Sequence, residues 1–452
     1  MGSGSVRCNA DHYGDARVGC LVTAGALQHG REPLAEIAPP LLVVFASDDA
    51  SRTRVAGVSL VERAVFAGAR AGFARIVVLA DHDRAHLQRI GDDPRARGAA
   101  VEVRKSVDLS RDAQVTMVAA HVLVSPEALR SVDGTAGERP TIVIGATGPL
   151  LTRCRGRDVL GTAAAGRPRA AATLAAGDAR HAFATVMRAA VEQPLAADAP
   201  CMRVATRRDA AAAEAALCAQ LRATSAATDG VLARLVDRRI SCRLSRWIVR
   251  TTPLRPNHVT ILGMAIGLAG AALLARGTYA GGVSGTLLFL VAAIVDGCDG
   301  EVARLTFRES VFGQKLDVAT DNLVHLAIFV ALAVGVRRHA PAAHVEALAA
   351  LLVGGFALDG ALSYYFLVLR TEWRARRSAA GSWRARARDR VLHGLEALMN
   401  RDFAYLLALL AVVDRLQWFL WGAALGSWAF AALFVLTYAT GGASAEEHAL
   451  PG

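Results

Sequence analysis

The chain lacks the features that staple, zinc-bind or export a small protein. Its seven cysteines (Cys8, Cys20, Cys154, Cys201, Cys218, Cys242, Cys298) form no Cys-x2-Cys pair and have no histidine at ligand spacing, which excludes a disulfide framework and a zinc site. The opening MGSGSVRCNADHYGD has no apolar stretch, so no signal peptide is expected, and Val6 stands where a myristoylation signal needs Ser or Thr. Residues 1–38 are expected to be a mobile N-terminal segment. The net charge of +11 is carried largely by arginine, but its distribution argues against nucleic acid. The densest clusters, Arg234 to Arg255 and Arg370 to Arg401, flank apolar segments as cytoplasmic loops do.

What is present divides in two. The length of 452 residues predicts two or three domains. Up to about Asp229 the composition is Ala- and Arg-rich with short apolar runs; beyond Val259 the runs are long enough to span a bilayer. In the first part LLVVFA (Leu41 to Ala46), the helical SLVERAVFAGARAG (Ser59 to Gly72) and RIVVLA (Arg75 to Ala80) alternate. Further strand candidates follow at Val101 to Lys105, His121 to Ser125 and Thr141 to Ala146. Buried strands alternating with amphipathic helices predict a parallel-sheet, Rossmann-like α/β domain over residues 39–222. Gly57 to Ala80 and Val204 to Leu217 resemble a helix and strand, and the closing strand and helix, of the sugar-nucleotide or cytidylyl nucleotidyltransferases. That resemblance implies a glycine-rich phosphate loop with a lysine, whereas SDDASRTRVAG (Ser47 to Gly57) has no glycine before Gly57 and no lysine, and VATRR has no aspartate for a metal. A catalytically silent nucleotidyltransferase-like domain is therefore expected, against the alternative of an active cytidylyltransferase with an altered loop. Asp48 and Asp49 stay open as metal ligands or as a solvated loop tip. Asp81, His82 and Asp83 read as a strand-to-helix turn capped by Asp81 or Asp83.

Residues 223–256 link the halves. Val231, Leu232, Leu235, Ile240, Leu244 and Ile248 recur at near-helical intervals against an arginine face, predicting an amphipathic helix lying on an anionic leaflet and ended by Pro253 and Pro256. Six spans are expected at about 258–276, 282–304, 313–336, 346–370, 402–415 and 417–439, within a helical membrane domain covering 257–440, with 441–452 as a tail. Asp414 and Arg415 fit a turn at the far interface. Asp359, inside the fourth span, is expected to face a cavity or a partner rather than lipid. The arginine clusters predict a multi-pass protein of the cell membrane with both termini cytoplasmic, although Arg337, Arg338 and His339 then fall outside.

The chemistry concentrates in DGCDGEVARLTFRESVFGQKLDVATD (Asp296 to Asp321). Asp296 and Asp299 share one helix face at i and i+3; Asp317 and Asp321 share another at i and i+4. Four carboxylates at a bilayer surface repel one another unless a cation neutralises them, and an all-oxygen ligand set selects Mg²⁺ first and Mn²⁺ next. Mg²⁺ completes its shell with water and phosphate oxygens, which points to a phosphate-containing substrate. Gly300, Ala303 and Gly313 leave room beside the carboxylates, and Arg304 supplies a fixed cation. A solvated acidic loop or an ion relay needs none of these small residues at these offsets, yet a transporter or a scaffold with a soluble regulatory domain remains an alternative.

The eight residues Asp296, Asp299, Gly300, Ala303, Arg304, Gly313, Asp317 and Asp321 match D-x2-D-G-x2-A-R-x8-G-x3-D-x3-D, the signature of the CDP-alcohol phosphotransferases, which the membrane half therefore resembles. The resemblance implies transfer of a substituted phosphate from a CDP-alcohol donor to a polyol or polyol-phosphate acceptor with release of CMP. It implies Asp296, Asp299, Asp317 and Asp321 as ligands of two metal ions, Asp321 as the base, and Gly300, Ala303, Arg304 and Gly313 around the cytidine end. The active site would be cytoplasmic, in a homodimer. The P-N-x-x-T segment also recurs in that family, so Asn257 and Thr260 are candidate substrate contacts; as plain N-terminal caps they would read the same. Arg370 and Arg401 are candidates for an acceptor phosphate, or serve topology and lipid headgroups. His325, four residues after Asp321, either tunes the base or lines the same cavity. The fused arrangement resembles the bifunctional inositol-1-phosphate cytidylyltransferase and di-myo-inositol phosphate phosphate synthases. That likeness implies phospholipid or inositol-phosphate synthesis, with CDP-diacylglycerol or CDP-inositol as the type of donor.

Overall fold

The computed structural model describes residues 40–46, 52–81, 84–110, 113–119, 121–133, 140–145, 148–155, 158–159, 171–192, 199–225, 232–339, 344–364 and 402–446. In chain order the soluble half contributes β1 (Leu41–Phe45), β2 (Arg54–Val55), β3 (Val58–Ser59), α1 (Leu60–Ala71), β4 (Arg75–Leu79), α2 (Arg84–Gly91), β5 (Ala100–Arg104), β6 (Ser106–Ser110), β7 (Gln114–Val118), β8 (Val122–Val124) and α3 (Pro126–Asp133). It continues with β9 (Thr141–Gly145), β10 (Gly148–Arg155), β11 (Ala171–Ala175), α4 (Ala176–Ala189), β12 (Val191–Glu192), β13 (Cys201–Arg203) and α5 (Arg207–Ser225).

A seven-stranded sheet runs in the order β12-β9-β10-β7-β1-β4-β5. All five residues of β1 are buried, as an unbroken apolar run requires when both faces of a central strand are covered. β1 pairs in parallel with β4 and β7, and β4 with β5. The sheet is mixed rather than parallel throughout, because β9 turns straight back into β10, which runs antiparallel to both β9 and β7. β8 belongs to a separate two-stranded ribbon with β13. The expected closing strand at Val204 ends one residue earlier, at Arg203. There Asp209 accepts hydrogen bonds from the backbone N–H of Ala205 (3.0 Å) and Thr206 (2.8 Å) and opens α5 instead. α1 starts as predicted: Ser59 and Glu62 form a reciprocal capping box, and Gly72, at φ 100°, closes the helix.

The second half begins with a π-helical turn, Ala233–Asp237, and α6 (Arg238–Thr251). It continues through α7 (Pro256–Leu274), α8 (Tyr279–Thr306), α9 (Val311–His339), α10 (His344–Tyr364), α11 (Asp402–Val412) and α12 (Leu416–Glu446). Six helices thus stand where six spans were expected. Four of them, α7 to α10, are long and apolar enough to cross a membrane by length and composition. The α11 helix, at about 16 Å, is short of a hydrocarbon core of roughly 30 Å. Asp414, at φ 56°, makes the turn into α12.

Close packing of α7, α8 and α9 depends on residues without side chains, the usual device where apolar helices cannot gain from a hydrophobic drive. A Cβ on Gly285 would lie 2.6 Å from Gly270 O and 2.7 Å from Leu274 N, both backbone atoms that cannot swing aside. Gly285→Val is therefore expected to push α8 off α7 and cost about 1–3 kcal/mol, read as a fall in the midpoint of thermal unfolding in detergent.

The α6 helix departs from a simple amphipathic pattern. Ile240 and Trp247 are exposed as a leaflet-facing flank would be, but Ile248 is buried together with three small polar residues, Ser241, Cys242 and Ser245. The reason is Glu301 on α8, only 1% exposed. Ser241 Oγ (2.7 Å) and Ser245 Oγ (2.8 Å) donate to its two carboxylate oxygens, and Arg238 Nη1 lies 3.5 Å from Oε1. A buried carboxylate is tolerable only with such a full set of partners. α6 is thus fastened to the acidic motif itself, two residues after Asp299.

Candidate metal centre and substrate clefts

Helix α8 carries Asp296 and Asp299 and α9 carries Asp317 and Asp321, and the turn between the helices brings Asp317 to the first pair. Carboxylate oxygens of Asp296, Asp299 and Asp317 lie within 4.8 Å of one another. Asp299 is 7% exposed and accepts a hydrogen bond from the Thr260 hydroxyl on α7. Thr260 is itself buried, at 4% exposure, so its place is behind a carboxylate, orienting it. Three converging oxygen donors with room for water or phosphate suit a hard divalent cation. Thr260→Val should weaken Mg²⁺ binding about 10- to 100-fold without unfolding the protein, as measured by Mg²⁺-dependent thermal stabilisation.

Two spaces meet at this cluster. An open cleft is bordered by Asp299 and Asp317 and by Asn257, Thr260, Gly300, Ala303, Arg304 and Gly313, every residue proposed from sequence for the CDP donor. The Arg304 guanidinium lies back over Gly300, its Nη2 3.4 Å from where a Cβ would stand, an ordinary contact distance. A Cβ on Gly313 would lie 3.2 Å from Asn257 Oδ1 and 3.0 Å from Ser310 Oγ. Asn257 therefore faces the second motif helix across the cleft. α7 itself opens with Pro256 in its first turn and Arg255 as its cap, leaving the Asn257 side chain free of a capping role.

The smaller space is lined by Asp296, Asp321 and His325 among apolar neighbours. Asp321 stands apart from the three-carboxylate group and faces this side. Its Oδ1 is 3.1 Å from His325 Nδ1, which also lies 2.7 Å from the Asp321 carbonyl oxygen. The imidazole is held by rings of Phe289 (centroids 5.6 Å apart), Phe403 (5.5 Å) and Phe329 (6.4 Å), contributed by three helices. An Nδ1–H directed at Asp321 is the tautomer this setting favours.

Arg370, Arg401, Asp48, Asp49, His82 and Asp83 lie outside the described residues. Cys298 is buried and packs with Ile248 and Val295, as a small apolar residue does. Asp359 Oδ1 is buried with no hydrogen-bond partner among the described residues. Sequence reasoning missed Glu301, Arg308 and the two phenylalanines that flank His325 from outside its own helix. Glu301 and Arg308 sit at unspecified motif positions, and Phe289 and Phe403 look like ordinary apolar residues of a span.

Residues 254–426 match the family model for CDP-alcohol phosphatidyltransferase. Curated relatives are proteins named "Bifunctional IPC transferase and DIPP synthase". That of Aquifex aeolicus is 34% identical over 105 residues (23% of each chain), and that of Rubrobacter xylanophilus 41% over 103 residues (23% of each). That of Archaeoglobus fulgidus is 32% identical over 123 residues, 27% of this chain and 24% of the relative. The chain thus matches about a quarter of the length of these relatives. Among solved structures, Mycobacterium tuberculosis phosphatidylinositol phosphate synthase with CDP-DAG bound covers 44% of this chain and 89% of that one at 22% identity; its TM-score of 0.27 is too low to carry an argument. The acidic motif, its three clustered carboxylates and the match over residues 254–426 agree: the C-terminal region of this chain is a CDP-alcohol phosphatidyltransferase domain.

Proposed function

We propose that the chain is a membrane transferase that moves a substituted phosphate from a CDP-alcohol to an acceptor hydroxyl and releases CMP. The observation that carries this is the convergence of Asp296, Asp299 and Asp317 at the junction of two spaces, one for a donor and one for an acceptor. A divalent cation, Mg²⁺ or Mn²⁺ and by family resemblance a pair of ions, held by these carboxylates would neutralise the diphosphate and the leaving CMP. Asn257, Gly300, Ala303 and Gly313 give the cytidine end close access to backbone, and Arg304 pairs with a phosphate oxygen. On the other side Asp321 takes the proton of the acceptor hydroxyl, while His325 Nδ1, 3.1 Å from Oδ1, fixes the carboxylate's direction.

The acceptor is a polyol or polyol phosphate and the donor is of the CDP-diacylglycerol or CDP-inositol type, classes in keeping with the names of the relatives. The protein acts in phospholipid or inositol-phosphate synthesis as a homodimer of the cell membrane, with cleft and termini cytoplasmic. The test is CMP release by the full chain in detergent with Mg²⁺. CDP-diacylglycerol and CDP-inositol are each offered with polyol and polyol-phosphate acceptors. CMP that requires one donor, one acceptor and Mg²⁺ is the expected result. Absence of both turnover and Mg²⁺-dependent binding of any CDP compound would sink the proposal and favour a transporter or scaffold.

A further inference from the structure

The soluble half grips the end of the helix that carries the metal-site residues. α8 ends at Thr306 with Phe307 at φ 57°, and the backbone N–H of Arg308 returns to Ala303 O at 2.8 Å. This closing turn satisfies some of the last carbonyls of the helix and leaves others needing donors. Two arginines of the soluble half supply them. Arg63 on α1, 2% exposed, donates from Nη2 to Leu305 O at 2.6 Å, and Arg95 donates from Nη1 to Thr306 O at 3.3 Å. Both place positive charge at the negative end of the helix dipole. Arg63 also donates from Nε to Val55 O at 2.8 Å, so one guanidinium ties the end of β2 to the end of α8. Burial pulls its pKa down to about 10, opposed by Glu214 and Glu62, which leaves it a cation at neutral pH.

Phe307 is the second half of the grip. A left-handed residue there would ordinarily be glycine, and a larger side chain costs roughly 1–2 kcal/mol. The ring offsets this cost by entering the soluble core: it is 8% exposed, 5.7 Å from the Phe66 ring, with the guanidiniums of Arg63 and Arg70 at 5.5 and 5.2 Å from its centroid. Arg70 also pairs with Glu309. Gly57, the lone glycine of the stretch where a phosphate loop would be expected, turns at φ 75° against Val249 O of α6. The turn at Gly57 thus packs on α6.

Between Phe307 and Glu309 stands Arg308, which lines the same cleft as Arg304 and occupies an unspecified position of the motif. We propose that the soluble half is a positioning element of the transfer site, and that by holding Phe307 and the α8 end through Arg63 and Arg95 it fixes Arg308 as a second cationic contact for the diphosphate of the donor. This rests on the donor cleft argued above. Arg308 thus stands where charged groups of both halves, Arg95, Asp93 and Glu62 on one side and Arg255 on the other, act on it.

The test is equilibrium binding of CDP with Mg²⁺ to the full chain in detergent. Arg308→Gln is expected to weaken CDP about tenfold, the loss of one charge-assisted contact. Phe307→Leu and Arg63→Met should weaken it by a similar factor, and neither should add a further loss in the Arg308→Gln background. Stabilisation by Mg²⁺ alone should be unchanged in all of them, because the carboxylates are untouched. Arg95→Gln, which removes a partly buried contact, repeats the test if Arg63→Met does not fold. Unchanged CDP affinity in Arg308→Gln, or losses that simply add, would overturn the positioning role while leaving the donor site intact. Failure of the wild-type chain to bind CDP with Mg²⁺ would overturn the donor site itself.

Discussion

Asp317→Asn is expected to lower CMP release by roughly 10³-fold while leaving the protein as stable as before, or more so, when no divalent ion is present. The two effects have one cause. Asp296, Asp299 and Asp317 lie within 4.8 Å of one another, so without a cation they repel, and removing one charge relieves the other two. The same change deletes a ligand and most of the reason for a cation to bind. In the wild-type chain Mg²⁺ at a hundred times its dissociation constant should add about 2.7 kcal/mol to stability, and in Asp317→Asn that increment should vanish. Differential scanning fluorimetry in detergent with and without Mg²⁺ reads both. A variant that loses activity but keeps the full Mg²⁺ increment would place the ion elsewhere, and the carboxylate cluster would no longer be its site.

How much of this could be read in the chain depended on how far apart the interacting residues are. The acidic motif was legible because its parts are local: spacings of three and four put Asp296 beside Asp299, and Asp321 beside His325, on their helices. Strands β1 and β4 were legible because both faces are buried and the run is apolar throughout β1 and, after Arg75, throughout β4. β7, Gln114–Val118, is as central in the sheet, yet its QVTMV carries a threonine and a glutamine that interrupt the run. β10 has an arginine and a threonine at positions that pack or hydrogen-bond only in the fold: Arg153 donates to Val132 O at 3.1 Å and Thr152 to Thr141 O at 2.9 Å.

The support of the site was least visible. Thr260 meets Asp299 from 39 residues away, Ser241 meets Glu301 from 60, and Arg63 meets Leu305 from 242. Each looks unremarkable in its own segment: a threonine in a span, a serine in an arginine-rich helix, an arginine among the apolar residues of α1. Periodicity says which face a residue occupies and not which polar atom it meets, so buried polar pairs between distant elements are found only in the folded chain.

Asp321→Asn separates chemistry from binding. Asp321 faces the smaller space with His325, away from the cleft that would hold the donor, so the amide should leave CDP affinity unchanged and lower turnover by about 10²- to 10⁴-fold. The amide oxygen still accepts the hydrogen bond from His325 Nδ1, so the geometry is retained while the ability to take a proton is lost. Single-turnover CMP release at saturating donor, set beside CDP binding, isolates that step. Loss of CDP binding in the same variant would instead make Asp321 chiefly a ligand for a donor-side ion. His325→Phe completes the comparison: a fourth ring fits among Phe289, Phe329 and Phe403, and the Nδ1 contacts to the Asp321 carboxylate and carbonyl oxygens are removed. If His325 acts by orienting the base, this variant should lose less turnover than Asp321→Asn, and the double variant should lose no more than Asp321→Asn alone.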